Sequence, residues 1–308
     1  MKAIQYKAFG NSDVIEVTET IQPEISNENQ ILIQVKAASV NPLDIKLRSG
    51  IMQQIRPVIL PFIPGADVSG IVVATGEKVT QFKAGDQVIG VTSAGGYAEY
   101  ALVNESNAAI KPVNTSFEEA TSLVVNIGTA QSVLFNEGKL ERGQKVLIQG
   151  AAGATGATMV QMAKSARAYV IGTASGQGIA LVKSLGADEV IDYKLHDVTA
   201  LVKDVDLVAD CAGGESQNKL FEVVKAGGKL FSIAASPSTE LAEKHKVDAR
   251  FIRSNISADS LTTGLALVNE GKLRPIVAKT FPLEEAAQAQ DFLSAGGANG
   301  KVVLVVAQ

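Results

Sequence analysis

The stretch Lys145-Val-Leu-Ile-Gln-Gly150-Ala-Ala-Gly153-Ala-Thr-Gly156, running on into Met159-Val-Gln-Met-Ala-Lys164, predicts a strand, a glycine-spaced turn and a helix in immediate succession. Val146, Leu147 and Ile148 form the continuous apolar run of a parallel strand covered on both faces, and apolar residues recur at near-helical spacing after the turn. Gly150, Gly153 and Gly156 stand where side chains are least tolerable. Without Cβ atoms the backbone turns sharply, comes close to a pyrophosphate and lets the helix pack on the strand. The free amides of the helix N-terminus would receive the phosphate charge. Three spaced glycines alone also mark a tight helix–strand crossing. Strand, turn and helix in register point instead to a dinucleotide site cradled by Gly150, Ala151, Ala152, Gly153, Ala154, Thr155 and Gly156.

Outward from this segment the pattern stays α/β. Strands predicted at Lys145–Gln149, Ala168–Thr173, Glu189–Ile191, Leu207–Ala209 and Lys229–Ala234 alternate with helical stretches, the order of a doubly wound parallel sheet. Upstream the chain is strand-rich, with Ile31–Val35, Val68–Ala74 and Gln87–Val91 separated by turn signals, as in an irregular β-barrel. Ser116 and Glu119 form a capping box that opens the first helix of the middle region. After Ser257 a helix over Leu261–Asn269, the run Pro275–Phe281, another helix and a closing strand Lys301–Val306 suit completion of the first domain. A ligand is expected in the cleft between two such domains, at the carboxyl ends of the parallel strands.

The 308 residues suffice for two hydrophobic cores, and the net charge of −4 argues against nucleic acid or an anionic membrane as partner. No N-terminal apolar stretch reads as a signal peptide or a membrane span, so the expected location is cytoplasmic. The single cysteine, Cys211, excludes an internal disulfide and a cysteine-cluster zinc site.

Asn41-Pro-Leu-Asp44-Ile-Lys46, Pro64-Gly-Ala-Asp67-Val-Ser-Gly70, Phe82-Lys-Ala-Gly85-Asp86, Gly95-Gly-Tyr97-Ala-Glu99, Gly128-Thr129-Ala, the glycine turn, Gly186-Ala-Asp188-Glu-Val-Ile-Asp192-Tyr193 and Gly300-Lys301-Val-Val-Leu follow one another in a set order. Together they resemble the medium-chain dehydrogenase/reductase superfamily, specifically its zinc-free quinone oxidoreductase (zeta-crystallin-like) branch near the enone and alkenal reductases. The resemblance spans the whole chain. It implies a GroES-like β-barrel domain for residues 1–118 with 258–308, and a Rossmann dinucleotide-binding domain for residues 119–257.

In the zinc alcohol dehydrogenases that the chain also resembles, the first metal ligand is a Cys where this sequence has Asn41, and a His-Glu pair falls at Ala66 and Asp67. The cysteine lobe between Gly90 and Gly96 is missing as well. The two histidines, His196 and His245, read as solvated surface residues, so no metal is expected.

Cofactor choice turns on Gly172-Thr173-Ala-Ser175-Gly176 after the second parallel strand, where an NAD-preferring site would carry an Asp or Glu about 20 residues beyond the turn. Thr173 and Ser175 instead offer hydroxyls to a 2′-phosphate, and the resemblance adds Tyr193; NADPH is the expected cofactor. Where related enzymes often place a Lys or Arg just after this Ser, the chain has Gly176, Gln177 and Gly178.

Without a metal, the acceptor must already be activated by conjugation: a quinone or an α,β-unsaturated carbonyl needs only positioning and a donor near its oxygen. Asn41, Lys46 and Tyr97 are the candidate catalytic groups, against their readings as a turn former, an exposed lysine and a core aromatic. The resemblance also implies cofactor contacts from Asn41, Asn126, Thr129, Cys211, Ala234, Ala235 and Lys301. A nucleotide-holding, crystallin-like or redox-sensing protein with little turnover would share every cofactor residue; a polyketide-type enoyl reductase module would need flanking modules. A homodimer is expected through the last strand of the parallel sheet, Val247–Arg253, with Phe251 and Ile252 at the seam and Ile252→Pro as the disrupting change.

Overall fold

The computed structural model describes residues 1–92 and 95–307. The chain divides into two units, Met1–Val124 with Ile256–Thr262 and Pro275–Gln308, and Val125–Asn255 with Thr263–Arg274.

The second unit is built on six parallel strands, labelled within this sheet β1 (Lys145–Gln149), β2 (Tyr169–Ala174), β3 (Glu189–Asp192), β4 (Val205–Asp210), β5 (Val224–Ser232) and β6 (Asp248–Phe251). Their order is β3-β2-β1-β4-β5-β6, all parallel, which is the doubly wound arrangement read from the sequence. Val146, Leu147 and Ile148 of the central strand are wholly buried because helices cover both faces. The helix Ala154–Ser165 follows the glycine turn and buries Met159, Val160, Met162 and Ala163.

In this sheet the end of the fifth strand and the edge strand differ from the sequence reading in ways that bear on the site and on assembly. β5 begins at Val224 and ends at Ser232, so Ala234 and Ala235 lie beyond the strand rather than ending it. Their amides reach the Ser232 hydroxyl at 3.2 and 3.3 Å. At the sheet edge, Ile252 is buried and its amide donates to Ser232 O at 2.8 Å, inside the sheet. Successive amides of a strand alternate in direction, so the outward donor is that of Phe251, which is 42% exposed. Ile252 is therefore an inward residue, and Ile252→Pro would break the subunit's own ladder.

In the first unit a seven-stranded sheet runs in the order Val277–Pro282, Lys301–Val305, Gln30–Val40, Asp67–Thr75, Gln87–Val91 and Ala108–Ile110, with Tyr100–Asn104 paired to Gln30–Val40. The long strand Gln30–Val40 extends five residues past the predicted end at Val35, because Ala37, Ala38, Ser39 and Val40 are small or β-branched and buried. Two register shifts along its pairing with Asp67–Thr75 bend it. That extension carries Ser39 and Asn41 into the interior beside Asp67. The Ser116–Glu119 capping box forms as read, Glu119 N–H donating to Ser116 Oγ at 3.1 Å and Ser116 N–H to Glu119 Oε2 at 2.9 Å. No helix of the described residues is long and apolar enough to cross a membrane.

Candidate active site

Two clusters stand out, one in each unit. In the first unit, Asn41 precedes Pro42 at the head of the helix Pro42–Arg48. Its side chain accepts from Lys301 Nζ at 2.6 Å through Oδ1 and donates from Nδ2 to Asp67 Oδ2 at 3.1 Å. Lys301 Nζ also lies 3.3 Å from Asp67 Oδ2, and the Ser39 hydroxyl donates to the same oxygen at 2.9 Å. Lys301 and Asp67 are 4% and 0% exposed, so this ion pair sits in low dielectric, where it depends on its hydrogen bonds for compensation. Asp67 Oδ1 is buried without a partner among the described residues.

Beside it, Asp44 Oδ2 accepts from the Asn41 backbone amide at 2.8 Å and from the Tyr97 hydroxyl at 2.9 Å. Burial pushes the Asp44 carboxyl up to about 6; the two donors pull it down, and the neighbouring Asp67 charge raises it. Tyr97 is fully buried and its phenol is raised well above its ordinary value, by burial first and then by Asp44. Tyr97 therefore packs as a core aromatic with its hydroxyl donated to Asp44, the reading set against that of a donor facing the acceptor. Lys46 is exposed on the same short helix.

A raised carboxyl has a defined linkage. The folded state holds the Asp44 proton to about pH 6, whereas an unfolded Asp releases it near 3.9. Stability from this group is thus complete below about pH 4 and is lost as pH rises through about 6, a difference of about 3 kcal/mol. Asp44→Asn keeps an acceptor without the charge, so the variant should gain on the wild type by that amount between pH 4 and 7 in urea denaturation. A pH-independent difference would contradict the assignment.

In the second unit, the glycine turn has Gly150 at φ 74°, its carbonyl receiving Gly153 N–H at 3.1 Å. Gly153 caps the helix Ala154–Ser165 without a side-chain bond, leaving the amides of Ala154, Thr155 and Gly156 at the helix end where an anion is favoured. A Cβ at Gly156 would lie 2.3 Å from Gly150 O, so only glycine fits. A nicotinamide dinucleotide's pyrophosphate fits this cradle. The turn is braced from several sides. Ala151 N–H donates to Thr173 O at 3.0 Å, and Thr155 Oγ1 donates to the buried Asn126 Oδ1 at 2.8 Å. Thr173 is 2% exposed and its hydroxyl accepts from Gly150 N–H at 3.2 Å. Thr173 thus supports the turn and does not stand with the 2′-phosphate hydroxyls, a correction to the sequence reading. Ser175 and Tyr193 do stand together, with their hydroxyls 3.2 Å apart.

Thr129 Oγ1 lies 2.7 Å from Ser254 Oγ. Cys211 follows β4 beside Gly150; burial, with Asp210 adding to it, pushes its thiol up, and its sulfur contacts Met159 Sδ at 3.7 Å.

One carboxylate, at the end of β4 beside Cys211, organises these loops. Asp210 is 1% exposed; Oδ1 accepts the amides of Ala212 and Gly213, both at 2.9 Å, and Oδ2 accepts Gln217 Nε2 and Ser232 Oγ, both at 2.8 Å. Through Ser232 it also orders Ala234 and Ala235. The sequence reading assigned Asp67, Asp44 and Ser39 no role. The available signal was an acid bordering a buried apolar run, as in Asp67-Val-Ser-Gly-Ile-Val-Val and Leu-Val-Ala-Asp210, since a buried carboxylate requires partners.

A catalytic zinc does not fit. Among the described residues no group of three His, Cys, Asp or Glu side chains is placed to hold a metal, and the one buried carboxylate at the corresponding position already bonds an ammonium, an amide and a hydroxyl. His196 is exposed, while His245 is half-buried against Phe221 with ring centroids 6.1 Å apart, so only the first is the solvated histidine expected.

Family models described as alcohol dehydrogenase GroES-like domain and zinc-binding dehydrogenase match residues 27–113 and 185–304. An Arabidopsis thaliana NADPH-dependent alkenal/one oxidoreductase, chloroplastic, is 34% identical over 99% of this chain and 79% of its own. A Mus musculus quinone oxidoreductase is 30% identical over 99% of this chain and 98% of its own. The solved quinone oxidoreductase from Coxiella burnetii is 33% identical, with a TM-score of 0.90 over 100% of this chain and 99% of that one. With a parallel nucleotide-type sheet, a GroES-like sheet and full-length relatives at this identity, the chain belongs to the medium-chain dehydrogenase/reductase superfamily, as an oxidoreductase related to the quinone and alkenal/one oxidoreductases.

Proposed function

We propose that the chain is an NADPH-dependent reductase of quinones or α,β-unsaturated carbonyls that works without a metal. The observation that carries this reading is the buried carboxamide of Asn41 held between Asp67 and Lys301, at the position where zinc dehydrogenases place their first ligand. Bound NADPH supplies the hydride. The chain's own residues then position a conjugated acceptor and offer a hydrogen bond where charge gathers on its oxygen. Asn41 is assigned that contact. Lys46, exposed on the neighbouring helix face, is assigned the electrostatic support of the ribose or of that oxygen, and Tyr97 the positioning of Asp44.

For the cofactor, the amides of Ala154, Thr155 and Gly156 are assigned the pyrophosphate, and Ser175 with Tyr193 the 2′-phosphate. The helix Gln177–Ser184 begins directly after Ser175-Gly176, so its N-terminal partial positive charge stands in for the missing Lys. Asn126, Thr129, Cys211, Ala234 and Ala235 are assigned places along the nicotinamide and ribose path. The relative named as NADPH-dependent supports this choice.

The direct test is a panel of quinones, enals and simple alcohols assayed with NADPH and NADH. Turnover confined to conjugated acceptors is expected; turnover of simple alcohols, or none with any conjugated acceptor, would overturn the reading. Chelators should leave activity unchanged, and metal analysis should find no stoichiometric zinc; loss with EDTA and recovery with zinc would contradict it.

We also propose a homodimer formed through the open edge of β6. Phe251→Pro, which removes an outward amide, should give a monomer by light scattering with the unit still folded, whereas Ile252→Pro should lower thermal stability directly. A wild-type monomer at micromolar concentration would refute the proposal.

A further inference from the structure

We propose that Lys301 is a positioning residue: its ammonium, held by Asp67, fixes and polarises the Asn41 carboxamide so that one remaining amide N–H serves the acceptor oxygen. This rests on the reading of Asn41 as the acceptor-facing group. Lys301 Nζ, Asn41 Oδ1, Asn41 Nδ2 and Asp67 Oδ2 close a ring through contacts of 2.6, 3.1 and 3.3 Å. An ammonium only donates and a carboxylate only accepts, so the amide has a single permitted orientation. Both contacts lie on one edge of the amide plane. The N–H given to Asp67 is therefore the one cis to Oδ1, and the trans N–H is left for a ligand.

A positive charge on Oδ1 draws electron density from Nδ2 and makes that trans N–H a stronger donor, an effect that grows in low dielectric. Both charged partners are at least nine-tenths buried. The fold delivers Lys301 by a specific device: Gly300 has φ 120°, and a Cβ there would lie 2.7 Å from Ile276 O, the carbonyl that accepts the Lys301 amide at 2.8 Å. The next residue, Val302, pairs with Val40, which brings the lysine opposite Asn41 across 260 positions of sequence.

A donor strengthened for developing charge acts on the transition state more than on the bound acceptor, so its loss lowers kcat and spares KM. The experiment is a double-mutant cycle between Lys301→Met and Asn41→Ala, read by steady-state kinetics with an enone and by titration with NADPH followed through the fluorescence of its own nicotinamide. Because Lys301→Met leaves Asp67 without its cation, the cycle is repeated with Lys301→Met combined with Asp67→Asn, which removes both charges. We expect Lys301→Met to lower kcat about 100-fold, with the enone KM and the NADPH affinity within about threefold. In the Asn41→Ala background the same change should cost less than about threefold.

An equal loss in both backgrounds, or a loss mainly of NADPH affinity, would show that Lys301 does not act through Asn41 and would overturn the proposal alone. An unchanged kcat in folded Lys301→Met with Asp67→Asn would do the same. If Asn41→Ala itself leaves kcat unchanged, the reading of Asn41 falls, and the proposal with it.

Discussion

Gly156→Val is expected to abolish dinucleotide binding while leaving the parallel sheet folded. A Cβ at this position would stand 2.3 Å from Gly150 O and 2.8 Å from Ala151 Cα. Both neighbours are backbone, so no rotamer change relieves the clash. The turn has to open, and it is held shut by Ala151 N–H on Thr173 O and by Gly150 N–H on the Thr173 hydroxyl. Moving it displaces the amides of Ala154 and Thr155 from the place assigned to the phosphate and separates the helix Ala154–Ser165 from β1. Since these amides and the helix end supply much of the favourable field for the anion, a fall in affinity of at least about 100-fold is expected. Nucleotide titration reads the loss, and circular dichroism confirms the retained fold. Wild-type affinity in a folded Gly156→Val protein would mean that the dinucleotide binds elsewhere.

Ser175→Asp should reverse cofactor preference. The Ser175 and Tyr193 hydroxyls, 3.2 Å apart, are the pair assigned to the 2′-phosphate. A carboxylate there repels that phosphate and offers an acceptor to an unmodified ribose. The repulsion acts near the surface, where two charges about 4 Å apart interact by a few kcal/mol, so NADPH affinity should fall about 100-fold while NADH affinity rises. Because Thr173 is buried on Gly150, it provides no second hydroxyl to soften the change. The ratio of kcat/KM values for the two cofactors measures the switch. Equal use of both cofactors by the wild type, or a ratio unmoved by the substitution, would refute the assignment.

Much of the architecture is local in origin. Val146, Leu147 and Ile148 had to form a doubly covered strand, because an unbroken apolar run of that length is stable only with both faces buried. Gly150, Gly153 and Gly156 had to form the turn, and Ser116 with Glu119 the helix start, since each depends on the conformational freedom or hydrogen bonding of residues a few positions apart. The parallel order followed from strands alternating with helices. Strand ends were less legible. The extension of Gln30–Val40 past Val35 and the early start of β5 at Val224 depend on partners in other strands rather than on the residues' own preferences.

The polar interior required tertiary structure altogether. Nothing near Asn41 indicates that its amide is bonded by Lys301, or that the Tyr97 proton is held by Asp44. The same is true of Thr173 turned onto Gly150, Ile252 turned into its own sheet and His245 laid against Phe221. Periodicity and turn chemistry are properties of neighbours along the chain, so the sequence alone determined the two kinds of sheet and the glycine cradle. Which buried charge meets which amide is set when antiparallel pairing places Val302 opposite Val40, because only the assembled sheet decides which distant groups share a low-dielectric interior and must satisfy one another.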